Sequence, residues 1–106
     1  MRADSLEQVF IRRESGVHTL LLVFESRSGR RERVTLTAPR GDESAAIDFL
    51  ARYLAQTGAR LAAKPRVRVE TGSGMTDAPH LLARLGAAVA TDARRVGRED
   101  STEGAA

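Results

Sequence analysis

The stretch VHTLLLVFE, residues 17–25, is apolar on both sides of an extended chain. Successive side chains of a strand point to opposite faces of the sheet, so this stretch would present two apolar rows. The rows are Leu20, Leu22 and Phe24 on one face, and Thr19, Leu21 and Val23 on the other. A strand that is apolar on both faces belongs inside a sheet, and this one therefore sets the fold.

Two further strands are predicted around this central one. Residues 8–13 give a short strand that a turn at residues 14–16 connects to it. On the other side, residues 26–30 form a hairpin loop containing a glycine. Residues 31–38 then alternate between polar and apolar side chains, which is typical of a half-exposed strand.

The helix signals lie in the second half of the chain. Asp42 is a good N-cap, Gly58 a good C-terminal glycine, and apolar residues recur at helical spacing over residues 43–57. Residues 66–70 predict a fourth strand, followed by a loop at residues 71–75. A second helix is predicted from Thr76 or Asp77 to about Val96, with Pro79 in its first turn.

This order predicts an α+β fold, a small two-layer sandwich with an antiparallel meander in the order β-β-β-α-β-α. Residues 1–96 would form a single domain. Residues 97–106 have no apolar periodicity, so they predict a disordered C-terminal tail. If both helices cover the face that carries Leu20, the opposite face of the sheet stays open.

An open face with an apolar row predicts a protein-protein interface, because soluble monomers rarely expose such a strip. The predicted interface residues are Thr19, Leu21 and Val23 at the centre, with Arg31, Arg33, Arg66 and Arg68 at the rim. The alternative is that residues 5–10 or the C-terminal helix fold across this face and bury it. If the face stays open, as the interface interpretation requires, we expect self-association as a homodimer, or docking of another protein.

A second functional hypothesis is nucleic-acid binding by the hairpin. Its candidate contacts are Arg27, Arg30, Arg31 and Arg33. The formal net charge of +3 and the isoelectric point of about 10.5 permit such a partner. Against it, nearly all of the positive charge is arginine, which fits codon usage as well as function, and Glu25 and Glu32 flank the loop.

Catalysis and cofactor binding find little support in the sequence. There is no cysteine, and the two histidines, His18 and His80, lack the spacing of a helical metal site. Asp77 and His80 suit a helix cap better than a catalytic dyad. Gly72-Ser73-Gly74 lacks the remaining residues of a dinucleotide or phosphate loop. We therefore expect no catalytic residues, metal, cofactor or small-molecule substrate.

Two segments resemble the small YggU-like family of uncharacterised bacterial domains. They are Val34-Thr35-Leu36-Thr37-Ala38-Pro39, and Val67 to Ser73 after the helix. The family's Gly-Lys-Ala-Asn element is Glu43-Ser44-Ala45-Ala46 here, so its most distinctive residues are absent. We read the similarity as convergence on a common β-α-β pattern, and it implies no activity.

The sequence thus favours a non-catalytic interaction or assembly module, with a nucleic-acid-binding accessory protein as the alternative. Such a chain would suit a regulatory accessory protein of a bacterium or phage. The opening residues MRADS form no signal-peptide pattern, and Leu20 to Phe24, the longest strictly apolar run, is too short to span a bilayer. We therefore expect a cytoplasmic protein with no membrane partner.

Overall fold

A computed structural model describes residues 4–91 of the chain. These residues form an α+β domain with a five-stranded mixed sheet and two helices. The elements are β1 (Ser5–Glu14), β2 (Val17–Glu25), β3 (Arg31–Thr37), α1 (Glu43–Thr57), β4 (Arg60–Thr71), β5 (Gly74–Asp77) and α2 (79–91). The observed order is therefore β-β-β-α-β-β-α, one strand more than the sequence predicts.

The strands lie in the order β3-β2-β1-β4-β5 across the sheet. Neighbours β1/β2, β2/β3 and β4/β5 are antiparallel, as predicted for the first three strands, but β1 and β4 are parallel. The prediction of a purely antiparallel sheet is wrong at this pair. α1 runs between β3 and β4, so β4 returns to the sheet beside β1 and in the same direction.

The turn between β1 and β2 consists of two residues with positive φ. Ser15 has φ of 50° and Gly16 has φ of 82°. Two successive residues in this region form a hairpin turn whose twist matches that of the flanking strands. The turn sets the register in which Phe10 lies opposite Leu21 and Val9 opposite Leu22.

Helix α1 has the caps that the sequence predicts. The Asp42 carboxylate accepts a hydrogen bond from the Ala45 backbone N–H at 2.9 Å. Gly58 takes the left-handed conformation, with φ of 76°, and its N–H donates to the carbonyl of Leu54 at 2.9 Å. These bonds satisfy backbone groups that have no partner within the helix, so the helix begins and ends where predicted.

Strand β4 is longer than predicted and interrupted in its pairing. Leu61 lies opposite Leu6, and Arg66 opposite Gln8, so four residues of β4 bulge out between these pairs. Pro65 lies in that bulge, where its missing N–H costs no ladder hydrogen bond. After Thr71 the chain turns back to form β5, whereas the sequence predicts a loop over residues 71–75.

A single hydrophobic core lies between one face of the sheet and the two helices. Its largest fully buried members include Leu6, Ile11, Leu20, Leu22, Ile47, Leu50, Leu54, Leu81 and Leu85. Arg84 of α2 donates two hydrogen bonds to Asp48 of α1, at 2.8 and 3.1 Å, so the helices also contact each other. Both helices therefore cover the face that carries Leu20 and Leu22.

Helix α2 begins at residue 79, two or three residues later than predicted, because β5 occupies residues 74–77. The predicted helix end near Val96 and the predicted tail at residues 97–106 lie outside the described residues. No helix among residues 4–91 is long and apolar enough to cross a membrane.

Candidate functional site

The sheet face turned away from the helices is the candidate site, and we call it the open face. Leu21 of β2 lies at its centre, with Phe10 of β1 on one side and Thr35 of β3 on the other. Beyond Phe10 the same row continues with Arg68 of β4 and Asp77 of β5. Within residues 4–91 no element packs over this row, so neither covering segment considered from the sequence is found there.

A shallow hollow lies on the open face. Its volume is about 400 Å³, and its lining is largely apolar. The lining residues are Phe10, Arg12, Thr19, Leu21, Thr35 and Met75. Met75 is 43% exposed at the edge of the hollow. An apolar concavity of this kind suits the side chains of a partner.

Arginines and acids on β1, β4 and β5 pair with one another beside the hollow. Arg12 donates to Glu70 at 2.8 Å, and this hydrogen bond raises the pKa of the Arg12 guanidinium, with smaller contributions from the charges of Glu70 and Glu14. Arg68 and Arg66 both approach Asp77, at 3.3 and 3.4 Å. This side of the open face is charged but close to neutral.

Another charged group lies at the end of β2. Arg31 of β3 donates to Glu7 of β1 at 3.1 Å, across the end of the open face. Glu25 lies opposite Arg31 on β2. A hydrogen bond with Glu7 and the negative charge of Glu7 raise the pKa of Glu25, and Arg31 acts in the opposite direction. The Glu25 carboxyl group, beside Glu7, thus holds its proton more readily than an isolated glutamate does.

The predicted interface residues share the open face but are not all adjacent. Thr19, Leu21 and Val23 are half-buried along β2, and Arg33 lies directly opposite Val23. The two predicted rim residues of β4 are separated from β2 by β1: Arg66 lies opposite Gln8, and Arg68 opposite Phe10. Their role as a partner interface stays a prediction.

The arginines of the predicted nucleic-acid contact are split between the hairpin loop and β3. Arg27 and Arg30 line a second hollow of about 420 Å³ at the hairpin tip, together with Ser26, Ser28 and Glu32. Arg31 is held by Glu7, as described above. Glu32 places a negative charge beside Arg27 and Arg30 at the hairpin tip. Nucleic-acid contact by these arginines also stays a prediction.

The histidines lie in unrelated places. His18 is buried on the helix side of β2, where its Nδ1 has no hydrogen-bond partner among the described residues, and His80 is exposed at the start of α2. Asp77, which the sequence places one turn before His80, contacts Arg66 and Arg68 instead. Among residues 4–91, no three His, Asp or Glu side chains come together in a way that could hold a metal ion.

Gly72 and Ser73 form the tight turn between β4 and β5, and Gly74 is the first residue of β5. The Thr71 hydroxyl accepts from the Ser73 N–H at 3.3 Å and donates to the Gly74 carbonyl at 3.0 Å. A phosphate-binding loop would need to join a strand directly to a helix N-terminus. Since these residues join two strands instead, they do not form that arrangement.

Sequence reasoning missed two apolar residues of the open face, Phe10 and Met75. A signal for Phe10 was present, because Val9 and Ile11 share a face and the residue between them must point the other way. Met75 had no such signal, since the four residues of β5 are too few to show an alternating pattern. Both residues line the hollow and enlarge the apolar centre around Leu21.

No protein-family model, curated protein or solved structure matches this chain at a significant level.

Proposed function

We propose that this chain is a non-catalytic assembly module whose open face packs against the same face of a second copy. The single observation that carries the proposal is the apolar hollow at the centre of the open face, formed by Phe10, Leu21 and Met75 with neighbouring polar side chains. Two such faces would bury each other's apolar centre and leave their charged residues at the rim, which is the usual anatomy of a protein interface.

The charges on the open face favour a copy of the same chain over a polyanion. Arg12, Arg31, Arg66 and Arg68 each contact a carboxylate within the chain. A surface on which most arginines are neutralised in this way has less long-range attraction for phosphates, since that attraction depends on unpaired positive charge. Packing two such faces against each other would also not bring together a large excess of positive or of negative charge.

The size of the open face suggests a weak dimer. Neighbouring strands lie about 4.8 Å apart, and each residue adds about 3.4 Å to a strand. A face that is five strands broad and as long as β2 therefore measures roughly 600 Å². Two faces would then bury about 1,200 Å², the lower end of the range for specific interfaces. We therefore expect association at micromolar concentrations, through an apolar centre of which Leu21 and Val23 form part.

The double variant Leu21→Asp with Val23→Asp tests the proposal. Burying two new carboxylates at the centre of the interface is costly, so we expect the mass measured by sedimentation equilibrium to fall by half at micromolar concentrations. The matched control is Ala83→Asp with Ala87→Asp, which adds the same charge to exposed positions of α2. The control should keep the mass of the unmodified chain.

Three outcomes would overturn the proposal. The first is an unmodified chain that stays monomeric throughout the micromolar range. The second is a folded double variant, judged by circular dichroism, whose mass is unchanged. The third is a double variant that unfolds while the control stays folded, because the face would then be core in the full chain.

Nucleic-acid binding is a distinct outcome of the same measurement. If association appears only when a mixed nucleic acid is added, and the affinity falls steeply with salt, the hairpin hypothesis replaces the proposal. Replacing Arg27 and Arg30 with alanine should then reduce the salt dependence. An unchanged mass with and without nucleic acid excludes that hypothesis and leaves the face-to-face dimer to be judged by the variants above.

A further inference from the structure

Strand β3 forms one edge of the sheet and has no neighbour on its outer side among the described residues. It is seven residues long and pairs with β2 without a register shift. Proteins usually protect an exposed edge with a proline, charged side chains, a bulge or a very short strand. β5, at the opposite edge, has four residues, whereas β3 is protected only by the charged residues Arg31, Glu32 and Arg33 at its start, and residues 34–37 carry none of these protections.

The backbone groups that β3 offers at this edge follow from one hydrogen bond. The Ala38 N–H donates to the His18 carbonyl at 2.9 Å, so these two residues form a hydrogen-bonded pair. Such pairs alternate along an antiparallel ladder. The next ones are Leu36 with Leu20, Val34 with Leu22, and Glu32 with Phe24. The N–H and C=O groups of Arg31, Arg33, Thr35 and Thr37 therefore point away from β2.

We infer that β3 pairs antiparallel with β3 of a second copy, in the register centred on Val34, and joins two sheets into one of ten strands. This is the one antiparallel register that pairs all seven residues. It places Arg33 opposite Thr35 of the second copy, and Arg31 opposite its Thr37. The four residues with outward-pointing groups then supply about eight backbone hydrogen bonds across the edge.

The charges of β3 select this register over the neighbouring ones. A register centred on Arg33 would place the two Arg33 side chains directly opposite each other, and like charges in that position destabilise a sheet. A register centred on Thr35 would leave Arg31 and Glu32 of both copies unpaired. The register centred on Val34 has no like charges directly opposite.

The side chains on the helix side of β3 give a second, independent reason to expect this pairing. Val34 and Leu36 pack against the core but remain partly exposed at the edge. In the inferred pair Val34 meets its own counterpart, so apolar surface that one copy leaves in water is covered by the other. The edge therefore combines unpaired backbone groups with apolar side chains, as strand-addition sites do.

The test compares Arg33→Pro with Arg33→Ala. Both variants lose the arginine side chain, but only proline removes the outward-pointing N–H, and proline is tolerated on an edge strand where that N–H faces solvent. We expect Arg33→Pro to halve the mass relative to Arg33→Ala in sedimentation at equal concentration. Equal masses for the two folded variants would overturn the inference.

Amide hydrogen exchange on the unmodified chain gives the second measurement, and it does not depend on any variant folding. The N–H groups of Arg33 and Thr35 should become protected, at least tenfold, as concentration rises from the monomeric to the associated range. If they exchange freely while the chain is associated, or if the chain never associates, the inference fails.

The edge pair and the face-to-face dimer can be told apart. Leu21→Asp with Val23→Asp disrupts the face and leaves the outward backbone groups of β3 intact, whereas Arg33→Pro does the reverse. If only the proline variant loses mass, the edge pair stands and the proposed face contact fails. If both contacts form, each copy has two different partners, so the unmodified chain assembles beyond two copies and each variant reduces it to two.

Discussion

Leu21 and Leu22 are adjacent in β2 and chemically identical, but they lie on opposite faces of the sheet. Leu22 is fully buried beneath the helices, while Leu21 is half-buried on the open face. The difference arises because α1 and α2 both pack on the face that carries Leu22. Among residues 4–91, no element forms a third layer over the face that carries Leu21. An apolar side chain therefore does not reveal by itself which face of a sheet is covered.

Replacing each of these leucines with alanine should give the largest measurable contrast. Leu22→Ala leaves a cavity in a packed core and should cost about 2–5 kcal/mol of unfolding free energy. Leu21→Ala removes side-chain atoms from a half-buried position and leaves no closed cavity, so we expect a smaller cost of about 1–2 kcal/mol in the monomer. Urea denaturation at nanomolar concentration, where self-association is absent, measures both values.

The two leucine variants serve as controls for each other, since the chemical change is the same. Equal losses of stability would contradict the assignment of one covered and one open face. In that case the region around Leu21 would be core in the full chain.

The covered face also depends on where α1 begins, and a smaller effect is expected there. Asp42→Ala removes the carboxylate that accepts from the Ala45 N–H, and should lower the unfolding free energy by about 1 kcal/mol. Asp42→Asn keeps an oxygen that can accept the same bond, so it should stay close to the unmodified chain. Thermal and urea unfolding compare the three proteins.

If Asp42→Ala and Asp42→Asn lose the same stability, the charge of Asp42 at the helix N-terminus matters more than the cap hydrogen bond. If neither loses stability, this cap does not hold α1 on the sheet.

The smallest expected effect concerns the open face, at the pair formed by Glu25 and Glu7. The pKa of Glu25 is raised in the folded chain, so the fold binds its proton more tightly than the unfolded chain does. This contribution is present below the ordinary glutamate value of 4.5, and it is lost as pH rises through the raised pKa. Glu25→Gln should therefore slightly raise the thermal midpoint at neutral pH, and change it less at pH values below 4.5.

The matched control is Glu32→Gln, which changes the charge equally on the adjacent strand. We compare the difference in thermal midpoint between neutral and acidic buffer for the two variants. A pH dependence that is the same in both would show that the contact between Glu25 and Glu7 does not affect stability.

Local signals in the sequence were sufficient for several elements. Asp42 and Gly58 correctly marked the two ends of α1, because capping depends on the residues beside the helix and needs no distant partner. The alternation in residues 17–25 also placed Leu21 and Val23 together on one face, which in the structure is the less buried one. That alternation identifies the two faces, and the helices determine which one is covered.

The remaining features depend on contacts between distant parts of the chain. The parallel pair of β1 and β4 joins Val9 to Val67, and no local pattern records that choice. The predicted fourth strand starts only after Pro65, because the bulge that accommodates this proline depends on how β4 meets β1. Arg66 and Arg68 lie beside β1 rather than β2 because β4 pairs with β1. The sequence could therefore predict which face of the sheet these two rim residues share, but not which strand lies next to them.

The parallel neighbour of β1 also has a consequence for folding during synthesis. β1 is made first and lies in the middle of the sheet, but β4, which completes one side of it, starts only at Arg60. β1, β2, β3 and α1 can associate as they leave the ribosome, while the β4 side of β1 stays without a partner until the second half of the chain emerges. Pairing over such a long sequence separation is slow. We therefore expect the nascent chain to be most prone to aggregation during that interval, at an edge that the finished protein no longer exposes.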